Sequence, residues 1–411
     1  MKRKNIMNIL MISMLSAMLM AGCGTTGESI NVFGNSTVVA AETESSSYDL
    51  SGLTDMDELT DEEIDSAEVI DLDGKTGTYT ITEGGTYRLK GSSEKCSIVI
   101  DVDEDEDVTI ILDSVSLDSK TSAPVYLASA DTVNLVLVGD STLINGGSFE
   151  DAEDEKTDAV IYSKSDLVIS GNGSLTITSP AGKGIVSKDS LSIYGGVMNI
   201  TASDDGINVN DELVISGGTF TIEAGDDGIH ADMSIQIDGG TIDINAAEGF
   251  EATSIVINDG DISINASDDG INAAQKVDDI DVRVEINGGN ITIVMGQGDT
   301  DGIDSNGDLI INGGMISITG QSSCDYDGKA ELNGGTLIVN GEEVDEIPGQ
   351  FMGGAPGGMG GFGGGFQSDG SFPEQPEGGF GQGGGFNQGG GFGQGGGFNQ
   401  GGGFGQGGMR P

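Results

Sequence analysis

The chain has 411 residues, with 68 acidic against 16 basic side chains and a formal charge of −52. A surface of that sign repels nucleic acid and anionic lipid, which excludes both as direct partners, and it draws cations. Few aromatics and high acidity also suit a disordered chain. Here Ile, Val and Leu recur in strict alternation through the middle, so disorder is confined to the two ends.

Taken in chain order, the first element is an export signal. Lys2, Arg3 and Lys4 precede an apolar run from Ile6 to Met20, interrupted only by Asn8, Ser13 and Ser16. A run that short, followed by small residues, is a secretory signal and not a spanning helix. Ala21-Gly22-Cys23 resembles the lipobox of bacterial lipoproteins, with Met20 where Leu is usual. The resemblance implies loss of residues 1–22, a lipid on Cys23, and a membrane partner reached through that lipid on the extracellular face of a bacterial cell. Residues 23–73 are rich in Ser, Thr, Asp and Glu and read as a disordered acidic tether. Two further cysteines, Cys96 and Cys324, are too few to staple a chain of this length, and they are expected as free, buried thiols.

Residues 74–348 are repetitive. The motif acidic-acidic-Gly-Ile recurs at Asp204–Ile207, Asp226–Ile229 and Asp268–Ile271, with variants at Glu248–Phe250, Asp301–Ile303 and Lys183–Ile185. Gly184, Gly206, Gly228, Gly249 and Gly270 stand 22, 22, 21 and 21 residues apart, and Gly302 and Gly328 follow after longer gaps. Each period holds three short alternating runs, as in Gly206–Val209, Leu213–Ile215 and Thr219–Ile222, and none has helical spacing. Gly-Gly pairs such as Gly217-Gly218 separate the second run from the third, where a tight corner calls for positive φ. Three strands and three corners per period describe one coil of a parallel β-helix, an all-β solenoid of about ten coils held together by stacking. Leucine-rich repeats need a different frame, calcium-binding nonapeptide repeats a shorter period, and hexapeptide helices coils of about 18 residues.

Stacking predicts ladders. Ile185, Ile207, Ile229, Phe250, Ile271 and Ile303 form one inward column, and Ile193, Ile215, Ile237, Ile257, Ile286 and Ile311 another. Weaker copies at Val108–Leu112, Val133–Leu137 and Leu167–Ile169 extend the solenoid backwards, Thr78–Leu89 reads as a cap, and Glu150–Glu155 as an exposed loop.

The same stacking places Asp204, Asp205, Asp226, Asp227, Glu248, Asp268, Asp269, Asp299 and Asp301 at one corner, with Asn208, His230, Glu251, Asn272 and Asp304 at the next outward position. Carboxylates about 5 Å apart repel by roughly 3 kcal/mol at an effective dielectric near 20, so counterions or protonation must relieve the column. Calcium suits a flexible set of six to eight oxygens, magnesium prefers stricter octahedra, and zinc finds one His and no Cys cluster. Asp-Asp-Gly is also good turn chemistry, with the side chains satisfying backbone amides. Turn chemistry alone does not require two adjacent acids.

The runs S-D-D-G-I-N at 203–208, G-D-D-G-I-H at 225–230 and D-T-D-G-I-D-S-N-G-D-L-I-I-N-G-G at 299–314 resemble a bacterial family of carbohydrate-binding parallel β-helix proteins. The similarity covers roughly Thr78 to Gly341. It implies a right-handed solenoid, calcium binding, and binding of cellulose and polygalacturonate, on a fold related to calcium-dependent polysaccharide lyases. By position the ligating acids would be Asp204, Asp205, Asp226, Asp227, Asp268, Asp269 and Asp301, and Lys183 and Glu248 depart from that pattern.

Three function classes follow: a calcium-dependent surface protein binding an acidic plant polysaccharide, a uronate lyase, or an adhesin acting through its tail. The chain lacks Trp and has few solenoid aromatics, Tyr126, Tyr162, Tyr194 and Tyr326 among them, so stacking platforms are not the main device. Uronate carboxylates completing the coordination of partly liganded calcium would reconcile an acidic protein with an acidic polymer. A lyase needs a base beside the metal, from Lys183, Lys188, Lys276, Arg283 or Lys329, each expected instead as a charge partner of a nearby acid. Residues 349–411 are a Gly/Phe/Gln/Asn low-complexity tail with Phe380, Phe386, Phe392, Phe398 and Phe404 at every sixth place.

Overall fold

The computed structural model describes residues 59–147, 149, 157–297 and 300–349, within the unit Met1–Met352. The signal peptide, Cys23, most of the tether, Glu150–Glu155, Asp299 and the tail lie outside the described residues.

The described chain is a parallel β-solenoid of about 11 turns. Each turn carries three strands, and each strand pairs in parallel with its counterparts one turn before and one turn after. In one turn these strands are Ile207–Val209, Glu212–Ile215 and Thr219–Glu223. Both expected inward columns form in register. Ile185 pairs with Ile207, then Ile229, Phe250, Ile271 and Ile303. Ile193 pairs with Ile215, then Ile237, Ile257, Ile286 and Ile311. These residues are at most 0% exposed, so each contributes the roughly 1.5–3 kcal/mol of a fully buried large apolar side chain. Cys96 and Cys324 are free and buried.

The ends differ from the sequence reading in detail. The segment read as tether already carries structure: helix Asp61–Ser66, closed by a Thr60–Glu63 capping box, and strand Glu68–Asp71 beside Tyr87–Lys90. Arg88 ties the helix down through the Ile64 carbonyl at 3.3 Å and Asp65 at 2.9 Å. Ile70 and Leu72 enter the core, which the alternation in Val69-Ile70-Asp71-Leu72 foreshadows. Thr78–Leu89 is no separate cap, because Gly77–Ile81 and Gly85–Ser93 are ordinary coil strands. At the far end Thr336–Val339 pairs antiparallel with Glu342–Val344 through Asn340-Gly341, both at positive φ. This hairpin covers a strand edge, and Ile347 closes the core.

The glycines do two jobs. Gly218, second of its pair, sits at φ 106°, as the corner demands. Gly228 has no positive φ; a Cβ there would lie 2.5 Å from the Ile244 Cγ2 and 2.8 Å from the Gly249 carbonyl oxygen of the next turn. Its equivalents face the same crowding, so the motif glycine is a packing requirement of stacked turns and not a turn former. Gly228→Ala is expected to destabilise the protein by about 1–3 kcal/mol, as overpacking does, measured by urea denaturation. A change within 0.5 kcal/mol would contradict the close approach.

Candidate functional site

The inward Ile column fixes the corner. Counting back two residues from each Ile aligns Lys183, Asp205, Asp227, Glu248, Asp269 and Asp301, and counting forward one aligns Asn208, His230, Glu251, Asn272 and Asp304. The expected corner residues within the described chain therefore fall on neighbouring lines of one corner, and the two acids of each pair are not equivalent. Asp205 and Asp227 are buried, whereas Asp226 and Asp268 are exposed. Some of the turn chemistry is realised too: Asp205 accepts the Asp227 N–H at 3.3 Å and Asp269 the Asp301 N–H at 2.8 Å.

The first half of the column carries its own cations. Lys183 reaches Asp205 and, at 3.1 Å, Asp204, and the Asn208 amide donates to Asp205 at 2.8 Å. His230 lies 2.9 Å from Asp227 and 2.7 Å from Glu251 through Nδ1, and 3.1 Å from Asp232 through Nε2. Burial opposes its charge, but these three carboxylates carry its pKa up to about 10. With no metal between these acids, His230 is held toward its charged form and offsets their charge. Lys276, from the excursion before Arg283–Ile286, folds back onto Glu251. Burial pushes the Glu251 carboxyl up, yet His230 and Lys276 together hold it at about 2. The trios Asp204–Asp205–Asp226 and Asp227–His230–Glu251 each bring ligand atoms within 4.8 Å, and a cation of the protein already sits in both.

The second half is different. Among the described residues Glu248, Asp269 and Asp304 have no ion pair. Burial, then Glu251, Asp227 and Asp269, raises the Glu248 carboxyl to about 7. Burial, with Asp269, Asp325 and Asp301, raises Asp304 to about 7, and burial, with Asp268, Asp301 and Asp325, raises Asp269 to about 6. Between them the Asn272 amide donates to Glu248 at 2.9 Å, while its own Oδ1 is buried without a hydrogen-bond partner. A buried acceptor without a donor costs free energy unless a donor or cation meets it. These oxygens are of the type calcium takes, but among the described residues only the two trios above bring three ligand atoms within 4.8 Å of one another, so a calcium here would draw Glu248, Asp269 and Asp304 closer together.

The base candidates are engaged as the sequence suggested, with one exception. Lys183 and Lys276 are paired as above, Arg283 meets Glu285 at 3.2 Å, and Lys329 meets Asp308 at 3.6 Å. Lys188 instead donates to Asn210 at 3.3 Å and lies 5.9 Å from the Tyr162 ring centroid. The sequence suggested Lys183 and Lys276 as charge partners but not which acids they meet, and it gave no sign that His230 sits among three carboxylates.

Without metal, stability should fall as pH rises. Raised carboxyls at Glu248, Asp269 and Asp304 leave the folded state holding more protons than the unfolded one from about pH 4 to 7. The stabilisation from His230 is complete below 6.5 and is lost toward its raised pKa of about 10. Glu251 contributes above 4.5 and loses its contribution as pH drops toward 2. In chelator the melting temperature is expected to peak near about pH 5 and to decline toward pH 8, followed by circular dichroism. A rise across that interval would contradict the electrostatics.

Comparison with known proteins gives the chain a family. A family model described as carbohydrate-binding domain-containing protein matches residues 75–254 and again 226–345. A carbohydrate-binding domain-containing protein of Acetivibrio thermocellus is 29% identical over 198 residues, covering 47% of this chain and 64% of the relative. The chain thus spans less than two thirds of that relative's length. A solved structure described as the polysaccharide lyase-like protein from C. thermocellum, gadolinium derivative, is 25% identical with a TM-score of 0.45, covering 64% of this chain and 98% of that one. The matched residues take in nearly the whole described solenoid, and the chain belongs to the carbohydrate-binding domain-containing protein family.

Proposed function

We propose that this chain is a calcium-dependent polysaccharide-binding protein, held by a lipid at Cys23 on the extracellular face of a bacterial membrane. Its polymer is an acidic plant polysaccharide of the polygalacturonate class. The observation that carries this reading is that Glu248, Asp269 and Asp304 stand without ion pairs in three successive turns, with the buried, partnerless Asn272 Oδ1 in the middle one. These residues, with Asp301 beside them, would hold the ion. Bound calcium supplies charge balance and coordination positions that sugar carboxylates can fill. The acids near Lys183, His230 and Lys276 serve instead to keep the corner folded.

Binding is favoured over elimination by the state of the bases. An ammonium locked between carboxylates is held protonated and cannot accept a proton, and Lys183 is raised by Asp205 and Asp204 against the effect of burial. The Tyr126–Tyr162 pair packs edge-on with centroids 5.9 Å apart and offers no flat platform for a sugar. Recognition through charge is left as the main device.

The test is retention of the protein on immobilised polygalacturonate and on cellulose, with calcium and with excess chelator, while absorbance follows unsaturated product. Retention on polygalacturonate should weaken at least tenfold in chelator, about 1.4 kcal/mol, with no product formed. Glu248→Gln combined with Asp304→Asn should lower calcium affinity by a similar factor, read by titration calorimetry. Equal retention with and without calcium would overturn the metal bridge, and product formation would make the protein a lyase.

A further inference from the structure

The acidic corner is one end of a longer line. The register through Asp301, Asp269, Glu248, Asp227, Asp205 and Lys183 continues toward the N-terminus through Ala159, Ala123, Cys96 and Gly77. In those first turns Lys95 stands one place before Cys96, the position of Asp204, Asp226 and Asp268 in later turns, and Lys75 and Lys120 stand two and three places before Gly77 and Ala123. The corner line is therefore uncharged in its first four turns, with lysines just before it in the first three, then carries Lys183 in the fifth and acids from the sixth onward.

At the basic end the surface dips into two adjoining cavities of about 360 and 480 Å³ that share Lys95. One holds Lys95 and Lys120 with the hydroxyl residues Ser97, Thr121 and Ser122; the other adds Lys75. The acids lining the pair are Glu94 and Asp118, so three ammonium groups against two carboxylates leave +1 on a chain of −52. Lys120 is paired with Asp118. Lys75 and Lys95 have no ion pair among the described residues, and the Lys75 Nζ lies 4.7 Å from the Tyr79 ring centroid.

We infer that this groove is a second, metal-independent subsite, taking carboxylate groups of an acidic polysaccharide whose further length lies along the acidic corner. The inference rests on the polysaccharide reading above. Two ammonium groups without carboxylate partners, flanked by hydroxyl donors, match a sugar carboxylate by charge-assisted hydrogen bonding. A neutral glycan gains nothing from them. Lys95 in the second turn and Asp205 in the sixth are four turns apart, roughly 19 Å at about 4.8 Å per turn, a span that a linear polymer along the corner covers with a few sugar units. The lysines would hold the polymer directly in the first turns, and the metal-dependent group would hold it further on. Lys183 neutralises the corner between them.

The test uses the full chain in excess chelator at low ionic strength, with oligogalacturonate of defined length and its methyl ester as probes. Wild type should retain weak binding to the acid and none to the ester, fading as salt rises, since exposed charge pairs are screened. Lys75→Ala with Lys95→Ala should weaken that residual binding at least tenfold. Lys75→Arg with Lys95→Arg should keep it, and circular dichroism should show all variants folded. Absence of any chelator-resistant binding by wild type, or equal binding by the double Ala variant, would overturn the subsite even if calcium still promotes binding. Chelator-resistant binding with no gain from calcium would leave the subsite standing and remove the metal bridge instead.

Discussion

In a parallel solenoid every residue stands on its own counterpart, about 4.8 Å above the same position one turn earlier. For isoleucine this is favourable, because the column excludes water along its whole length. For aspartate it is unfavourable by roughly 3 kcal/mol per stacked pair at an effective dielectric near 20. One stacked pair of acids can thus cancel the burial of one isoleucine per turn. A corner that repeats acids through successive turns must recruit positive charge, hold protons, or weaken the stack.

The corner answers differently along its length. Lys183, His230 and Lys276 supply positive charge where Asp204, Asp205, Asp227 and Glu251 converge. Two of these three come from the repeat itself and the third from an excursion that folds back over the sheet. Glu248, Asp269 and Asp304 have no such partner, burial and nearby acids raise their carboxyls, and the Asn272 Oδ1 has no donor. Acids with a cation partner and acids without one therefore share one corner. They are separated by whether a cation reaches the carboxylate: His230 and Lys276 engage Glu251 but not Glu248 in the same turn.

This division limits what the sequence could convey. Period, strand positions, inward columns and the alignment of Asn208, His230, Glu251, Asn272 and Asp304 were all legible, because a repeat in sequence becomes a column in space. The contrast between buried Asp227 and exposed Asp226 was not, since adjacent residues read alike in one dimension. Nor was Lys276, whose contact with Glu251 spans an insertion of irregular length. Nor could the sequence show that three carboxylates surround both ring nitrogens of His230. The hairpin at Asn340-Gly341 did carry a sequence signal, masked by the strength of the surrounding repeat.

The most direct measurement is a crystal structure of the protein grown with calcium, read by anomalous scattering. The account predicts metal at Glu248, Asn272, Asp269 and Asp304, with the Asn272 Oδ1 among the ligands, and no metal within the Asp227–His230–Glu251 group. Calcium bound between Asp227 and Glu251, with His230 displaced and the Asn272 group empty, would contradict it.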